Sequence, residues 1–136
     1  RPLWPRRRRI NMIERGDVLL LCFPFTNLQT RKVRPAIVVS SDSFNRKCRD
    51  AVFAFITTRE YSSPFDIRIR DTDPSFQTTG LKVPSTIRIA KLMCLEQELA
   101  CRRLGRADKH ILAEVNSALA RLFDLPQQAG KPPSRS

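Results

Sequence analysis

Histidine and glycine are scarce in this chain of 136 residues, which contains one histidine and four glycines. His110 alone cannot supply a catalytic histidine pair or a set of zinc ligands, so ribonucleases with two histidines and zinc hydrolases are disfavoured. The sequence also lacks G-x-x-x-x-G-K-[ST], G-x-G-x-x-G and G-x-S-x-G, which removes support for glycine-rich phosphate loops and a serine nucleophile elbow. No apolar run approaches the roughly 20 residues that span a bilayer. We therefore expect a soluble protein with no metal and no cofactor.

Cysteine occurs four times, but never in the paired spacing of a metal site. Cys22, Cys48, Cys94 and Cys101 are far apart and include no C-x-x-C pair, so a structural zinc site is not predicted. No segment resembling a secretory signal precedes them. We expect four free thiols in a reducing cytoplasm.

Acidic residues are few compared with basic ones. The chain contains 25 lysines and arginines against 13 aspartates and glutamates, which gives a net charge of +12. Residues 1–11 contain five of the arginines and no acid, and the remaining residues still carry 20 basic against 13 acidic side chains, or +7. This balance indicates a polyanionic partner, which means nucleic acid, an acidic protein or an anionic membrane surface.

Both ends of the chain lack the pattern of a folded domain. Residues 1–11 are rich in arginine and precede Met12, and we expect them to be an unstructured arm, a leader or an artificial extension. Residues 126–136 are polar and rich in proline, so they are expected to be a disordered tail. The sequence therefore predicts one ordered domain over residues 12–125.

Short runs of β-branched and aromatic residues, separated by turn-forming residues, predict a mainly β fold. The runs are DVLLLCF, PAIVVS, AVFAFIT, FDIRIR and STIRIAKLMCL. In FDIRIR, apolar and charged residues alternate, which is typical of a half-exposed strand with a cationic outer face. After Gly105 the apolar positions recur every three or four residues, and Asp108 can cap a helix that ends before Pro126. The expected architecture is a small antiparallel barrel or sandwich with a C-terminal helix.

An arginine followed directly by proline stands at the start of the strand KVRPAIVVS. RNA can be cleaved by its own 2′-hydroxyl without a protein nucleophile or a metal, if protein groups take up the 2′ proton and stabilise the charge on the phosphorus. The guanidinium of Arg34 could supply the stabilising donors, because its planar fork matches a phosphoryl group. Composition alone favours the simpler interpretation, in which Arg34 is a solvated charge beside a strand.

The order and spacing of several segments resemble the MazF/PemK (Kid) family of toxin endoribonucleases. The matching segments are MIERGDVLLLCF, KVRPAIVVS, DSFNR, a strand that ends in IT, and the stretch from TTGLKVPSTIRIAKLMCL to LARLFDL, which together cover residues 12–125. The resemblance implies an SH3-like antiparallel β-barrel with attached helices, working as a homodimer. It also implies a ribosome-independent enzyme that cuts single-stranded mRNA to a 2′,3′-cyclic phosphate and a 5′-hydroxyl, and that a cognate acidic antitoxin holds inactive.

Carried over by position, the resemblance assigns the catalytic roles to Arg34 and Thr57. Arg34 would stabilise the transition state and is a candidate general acid, and Thr57 would hydrogen-bond the scissile phosphate. On local pattern alone, Thr57 is as typical of a β-former that ends a strand. The residues expected to bind RNA are Gln29, Arg31, Lys32, Ser85 and Arg88.

The Kid-like branch of the family uses an arginine and an aspartate two residues later as acid and base. This chain reads IRIAK, so Arg88 matches the arginine but Ala90 replaces the aspartate. We therefore expect no carboxylate at this position and a MazF-type site built on Arg34 and Thr57. Arg88 is then either a phosphate clamp or a solvated arginine.

Two other functions agree with the same residues. One is a non-catalytic protein of the toxin fold that binds RNA or a gyrase-like target, and such a protein would bind RNA without producing new 5′-hydroxyl ends. The other is a basic adaptor for acidic proteins. Its binding would be sensitive to salt and would show no preference for RNA.

Overall fold

The computed structural model describes residues 12–23 and 32–127. In this part of the chain the strands are β1 (Asp17–Phe23), β2 (Lys32–Val38), β3 (Asp50–Thr57), β4 (Ile67–Ile69), β5 (Ser85–Glu96) and β6 (Ala100–Arg106). The helices are α1 (Asp42–Lys47), α2 (Phe76–Thr79) and α3 (Lys109–Phe123), and a 3-10 turn at Gln97–Leu99 connects β5 to β6. The strands form one curled antiparallel sheet, or half-barrel, in the order β4-β5-β3-β2-β1-β6.

Apolar side chains on the two faces of the sheet form two cores. In one core, Ile111 and Val115 of α3 pack with a cluster that includes Ile56 and Ile87 of the sheet. The other core consists of Ile13, Leu19, Leu21, Ala36, Val38, Ala51 and Phe53. Because β1, β2 and β3 are buried on both faces, they are nearly continuous apolar runs with little alternation.

β5 changes its register halfway along its length. Ala54 of β3 pairs with Leu92, whereas Ile56 pairs with Ile87, so β5 has three more residues than β3 between these pairs. Extra residues in one strand bend it and increase its twist. The first half of β5 lies between β3 and β4, while residues 92–96 pair with β3 alone among the described strands. This second half is therefore an edge of the sheet.

A buried carboxylate joins β1 to β6. The side chain of Asp17 is 1 % exposed, and it accepts hydrogen bonds from Arg103 Nη2 at 2.8 Å and Arg106 Nη1 at 2.6 Å. The backbone N–H of Glu14 donates to the same carboxylate at 2.8 Å. A buried charge needs such partners, so these two arginines of β6 serve the fold.

The mainly β fold with a C-terminal helix is confirmed. The predicted strands correspond to β1, β2, β3 and β5, and FDIRIR contains the short β4. Asp108 caps α3 as expected, because its side chain accepts a hydrogen bond from Ile111 N at 3.0 Å. Within the described residues, no helix is long and apolar enough to cross a membrane.

The expectation of four free thiols is wrong for two of the cysteines. Cys22 at the end of β1 and Cys101 in β6 form a disulfide, with their Cα atoms 6.1 Å apart. Their separation of 79 residues in sequence conceals that the two strands are neighbours in the sheet. Cys48 and Cys94 are free and exposed.

Candidate functional site

A cavity of about 330 Å³ lies where the ends of three strands meet. Because β2, β3 and β5 run antiparallel to their neighbours, the start of β2, the end of β3 and the start of β5 meet there. The cavity is lined by Lys32, Val33, Arg34, Pro35, Ile56, Thr57, Thr58 and Ser85. Four of the residues that the sequence singled out, from three different strands, therefore surround one cavity.

Arg34 is half-buried in the wall of this cavity, and an aromatic ring orients it. Its guanidinium carbon lies 5.4 Å from the centre of the Phe55 ring, which is a cation–π contact. Pro35 follows in β2 and removes a backbone donor next to the arginine. No carboxylate among the described residues forms a salt bridge with Arg34. In the part of the chain that the structure describes, its hydrogen-bond donors therefore have no acceptor and can donate to an anion.

Thr57 also lines the cavity, at the last position of β3, the strand next to β2. The register that pairs Ala36 with Phe55 would set Arg34 opposite Thr57 if it continued by two residues. On its other side Thr57 pairs with Thr86 of β5. The hydroxyl of Thr57 accepts a hydrogen bond from Arg59 N at 3.3 Å, so its own proton is free to be donated.

Ser85 lines the cavity beside Thr57 and Thr58, and Arg68 supports this wall without lining it. Ser85 is buried and its hydroxyl donates to Val83 O at 2.8 Å, which leaves the oxygen as an acceptor. Arg68 Nη1 donates to Thr86 Oγ1 at 2.9 Å and to the carbonyl oxygen of Thr58 at 3.1 Å. Arg68 thus fixes the segment that follows β3.

The remaining residues expected to bind RNA have different positions. Lys32 is exposed at the start of β2, and Gln29 and Arg31 lie outside the described residues. Arg88 does not line the cavity. Its Nε donates to Asp66 Oδ2 at 2.8 Å, and its guanidinium carbon lies 3.8 Å from the centre of the Tyr61 ring.

The expectation that no carboxylate occupies the place next to Arg88 and Ala90 is wrong. Asp66 fills this place, because its Oδ2 accepts from Arg88 and its Oδ1 accepts from Ala90 N at 3.1 Å. The register that pairs Ile67 with Ile87 puts Asp66 beside Arg88 on the neighbouring strand. The carboxylate therefore comes from across the sheet and not from the same strand.

Sequence reasoning missed Asp66, Tyr61 and the role of Arg68. The alternation in FDIRIR was the available signal for Arg68, because it predicted a cationic outer face on this strand. Asp66 is 22 residues from Arg88 in sequence, and no local pattern joins the two. Within residues 12–23 and 32–127, no three His, Cys, Asp or Glu side chains are grouped so that they could hold a metal ion.

The cavity can bind a phosphodiester and stabilise added negative charge on it. A half-buried guanidinium without a salt-bridge partner, a lysine and several hydroxyls converge at its walls. Charge-assisted hydrogen bonds of this kind are stronger than neutral ones. Glu60, which follows the lining residues Thr57 and Thr58 in the chain, forms a salt bridge with Arg68 at 3.7 Å, and its side chain is 76 % exposed, so it screens the cations weakly.

Solved structures of three proteins have the same fold as this chain. An endoribonuclease from mycobacterial species has 23% identity and a TM-score of 0.67, over 88% of this chain and 98% of that one. A MazE–MazF complex from Deinococcus radiodurans has 21% identity and a TM-score of 0.67, over 85% and 99%. The Mycobacterium tuberculosis toxin MazF-mt6 has 15% identity and a TM-score of 0.65, over 82% and 99%. No curated protein sequence is a significant match.

The family is established by sequence as well as by fold. The profile of the PemK-like, MazF-like toxins of type II toxin–antitoxin systems matches residues 14–123. This range contains all six described strands, the lining of the cavity and the whole of α3. The chain therefore belongs to the PemK-like, MazF-like toxin family, whose members are RNA-cleaving enzymes.

Proposed function

We propose that this chain is a sequence-selective, metal-independent endoribonuclease that acts on single-stranded RNA. In the proposed reaction the 2′-hydroxyl of a ribose gives its proton to water and its oxygen attacks the adjacent phosphorus, while the bond from phosphorus to the 5′-oxygen breaks and that oxygen takes up a proton. The products carry a 2′,3′-cyclic phosphate and a 5′-hydroxyl. The observation that supports this reaction best is that Arg34, with no salt-bridge partner among the described residues, shares a cavity with Thr57.

Arg34 stabilises the transition state in this proposal. Negative charge accumulates on the non-bridging oxygens as the 2′-oxygen attacks, and a preoriented guanidinium donates to them with little reorganisation. Contact with Phe55 supplies that orientation. Thr57 donates its hydroxyl proton to the same phosphate, and Arg34 is the candidate donor of the proton that the departing 5′-oxygen takes up.

Further cationic and polar side chains bind the RNA on either side of the reacting phosphate in this proposal. Lys32 and Ser85 line the same cavity, and Arg88 lies beyond it on β5. We propose that these three residues, with Gln29 and Arg31 of the segment before β2, bind the backbone and the unpaired bases. Single-stranded RNA suits such a surface, because its bases are free to contact side chains.

The same surface suits an acidic antitoxin. One of the similar structures is an endoribonuclease from mycobacterial species in complex with its cognate antitoxin, and another is the MazE–MazF complex from Deinococcus radiodurans. We propose that a cognate antitoxin neutralises this chain by covering the cationic cavity, so that it competes with RNA for one site. We also propose that the protein works as a homodimer in the cytoplasm, where mRNA is present.

Cleavage of RNA by purified protein in the presence of EDTA tests the proposed function. Arg34→Ala should lower kcat by about 10²–10³ because a donor to the transition state is lost, and Thr57→Val should lower it less while the fold is kept. Arg46→Ala is the matched control, since Arg46 is exposed in α1, which connects the end of β2 to the start of β3 and so lies at the ends of these strands away from the cavity. Sequencing of the fragment ends should find 5′-hydroxyl groups at recurring short motifs.

Two results would contradict this assignment. If Arg34→Ala cleaves RNA as the wild type does, Arg34 has no role in the reaction. If the wild type binds RNA but produces no new 5′-hydroxyl ends, the non-catalytic alternative replaces the enzyme.

A further inference from the structure

Asp66 forms a compact cluster with Arg88 and Tyr61 just outside the cavity. The Asp66 side chain is 1 % exposed, although it carries a charge. One of its oxygens accepts from Arg88 Nε at 2.8 Å and the other accepts from Ala90 N at 3.1 Å. Arg88 is also stacked on the Tyr61 ring, with its guanidinium carbon 3.8 Å from the ring centre. Asp66 thus contacts the edge of the Arg88 guanidinium, and Tyr61 contacts its flat face.

The chain builds a braced turn to place this carboxylate. Phe65 N donates to Ser63 Oγ at 3.1 Å and Asp66 N donates to Ser63 O at 3.3 Å, which closes the turn before β4. Arg121 of α3 donates to Pro64 O at 2.8 Å and so ties the turn to the helix. A short serine turn of this kind fixes the residues that follow it. These hydrogen bonds therefore fix the position of Asp66 relative to β4 and α3.

The contacts of Asp66 exclude it as a general base in this arrangement. Both carboxylate oxygens are occupied by N–H donors, and the side chain has almost no contact with solvent. A general base must lie within hydrogen-bond reach of the proton that it removes. The carboxylate can act on RNA only through the group that it holds, which is Arg88.

The same contacts leave the terminal amino groups of Arg88 available. Within the described residues, only Nε of Arg88 has a hydrogen-bond partner. Thr86, two positions earlier on β5, is the cross-strand partner of Thr57. Residues i and i+2 of a strand lie on the same face and about 6.6 Å apart. Arg88 can therefore contact the part of an RNA chain that adjoins a phosphate held at Thr57.

We infer that Asp66 is a positioning residue for RNA binding. It fixes Arg88, together with Tyr61, so that the two terminal amino groups of Arg88 clamp a phosphate of the RNA next to the reacting one. This inference rests on the proposed function, because it concerns the same substrate on the same face of the sheet. It assigns Asp66 a role in the affinity for RNA and none in the chemical step.

Asp66→Asn separates this role from a simple effect of charge. If only the net charge of the surface affects affinity, removing an acid from this cationic surface should strengthen RNA binding. If Asp66 positions Arg88, its loss should instead weaken RNA binding. The asparagine amide cannot accept from both Arg88 Nε–H and Ala90 N–H, so Arg88 is no longer fixed. We expect affinity to fall about three- to tenfold for a mixed-sequence 2′-O-methyl RNA of about 12 nucleotides, which cannot be cleaved, measured by fluorescence anisotropy.

The salt dependence and the kinetics sharpen the test. Arg88→Ala should reduce the slope of log K against log salt by about 0.7, the value for one phosphate contact on a single strand, and Asp66→Asn should reduce it similarly although it removes no cation.

In cleavage of RNA, Asp66→Asn should raise KM and leave kcat within about twofold, as expected for lost uniform binding. Asp66→Asn/Arg88→Ala should bind as Arg88→Ala does.

Asp71→Asn is the matched control, since Asp71 is exposed just beyond β4 and the same charge is lost. This variant should bind RNA as tightly as the wild type or slightly more tightly. Equal or tighter binding by Asp66→Asn would overturn the inference. If Asp66→Asn does not fold, Arg88→Lys replaces it, because lysine keeps the charge but loses Nε and the planar fork. Wild-type affinity in Arg88→Lys would overturn the inference equally.

The inference and the proposed function can fail separately. Wild-type protein that cleaves RNA, with Arg34→Ala inactive and Asp66→Asn unchanged in affinity, would refute only the role of Asp66. Wild-type protein that produces no cleavage would refute the proposed enzyme, while the binding measurements would still test the clamp.

Discussion

The partner of each arginine decides what its guanidinium can do. Arg103 and Arg106 neutralise the buried Asp17, and Arg68 is occupied by the Thr86 hydroxyl and by backbone carbonyls. Arg34 contacts only the ring of Phe55 in the interactions that the structure describes. The net charge of +12 therefore overstates the number of cations that are available to RNA.

At the residue scale, the sequence predicts the cavity better than it predicts the surroundings. Arg34 and Thr57 could be selected because the family resemblance matches a short motif on the strand of each, and Ser85 because a hydroxyl at that position could line a groove. Asp66 could not, since its partner Arg88 is 22 residues away and only the pairing of β4 with β5 brings them together. A contact across strands depends on register, which a single sequence specifies weakly.

Asp108 gives a pH-dependent prediction at this scale. A side-chain hydrogen bond from Ser75, and then the backbone N–H of Ile111, lower the pKa of Asp108 from its ordinary value of 3.8. Since the folded pKa is lower than the unfolded one, the ionised cap stabilises the fold above pH 3.8, and this stabilisation is lost as the pH falls through the folded value. Asp108→Ala should cost about 1 kcal/mol at pH 7 and clearly less at pH 2.5, measured by urea unfolding.

Asp71→Ala serves as the control for this titration, because Asp71 is exposed and caps no helix. Its effect on the free energy of unfolding should be small at both pH values. A cost of Asp108→Ala that is the same at pH 7 and pH 2.5 would contradict the role of the ionised cap.

At the element scale, the two halves of β5 have different surroundings. The first half carries Ser85, Thr86 and Arg88 and lies between two strands, whereas residues 92–96 form an edge among the described strands. The apolar run STIRIAKLMCL predicts this long strand, but β6 is not predicted from ACRRLGR. Its arginines and glycine resemble a loop, and their place in the sheet depends on the buried Asp17.

The edge of β5 is where we expect two protomers to associate. Open edges with exposed apolar side chains are prone to pair with another chain, and Met93 on this edge is 39 % exposed. Met93→Lys should convert a dimer into a monomer at micromolar concentration, measured by sedimentation velocity. Phe123→Lys, at the exposed end of α3, should leave the dimer intact. A dimer in Met93→Lys would assign the association to another surface.

At the scale of the whole molecule, one covalent bond links strands that are distant in sequence. The disulfide between Cys22 and Cys101 spans 79 residues, and these include β2, β3, β4, β5 and the lining of the cavity. Cross-linking a long segment restricts the unfolded chain more than the folded one. The cysteine spacing gave no indication of this pair, because its geometry exists only once β1 and β6 are adjacent.

Reduction of this disulfide should lower the stability of the protein. We expect the free energy of unfolding to fall by about 2–4 kcal/mol when dithiothreitol is added, measured by chemical denaturation. Cys22→Ser/Cys101→Ser should be insensitive to the reductant, and Cys48→Ser/Cys94→Ser should respond as the wild type does. An equal response in the first double variant and the wild type would contradict a stabilising bond. In a reducing cytoplasm the thiol form would be the relevant one.

The bend in β5 has a consequence for inhibition. One continuous backbone carries Thr86 and Arg88 in its first half and the free edge in its second half. In the proposed homodimer, a compound bound between the two protomers at that edge would contact the same strand that carries these two side chains. We expect such a compound to inhibit the proposed ribonuclease activity without entering the cavity and without resembling a nucleotide.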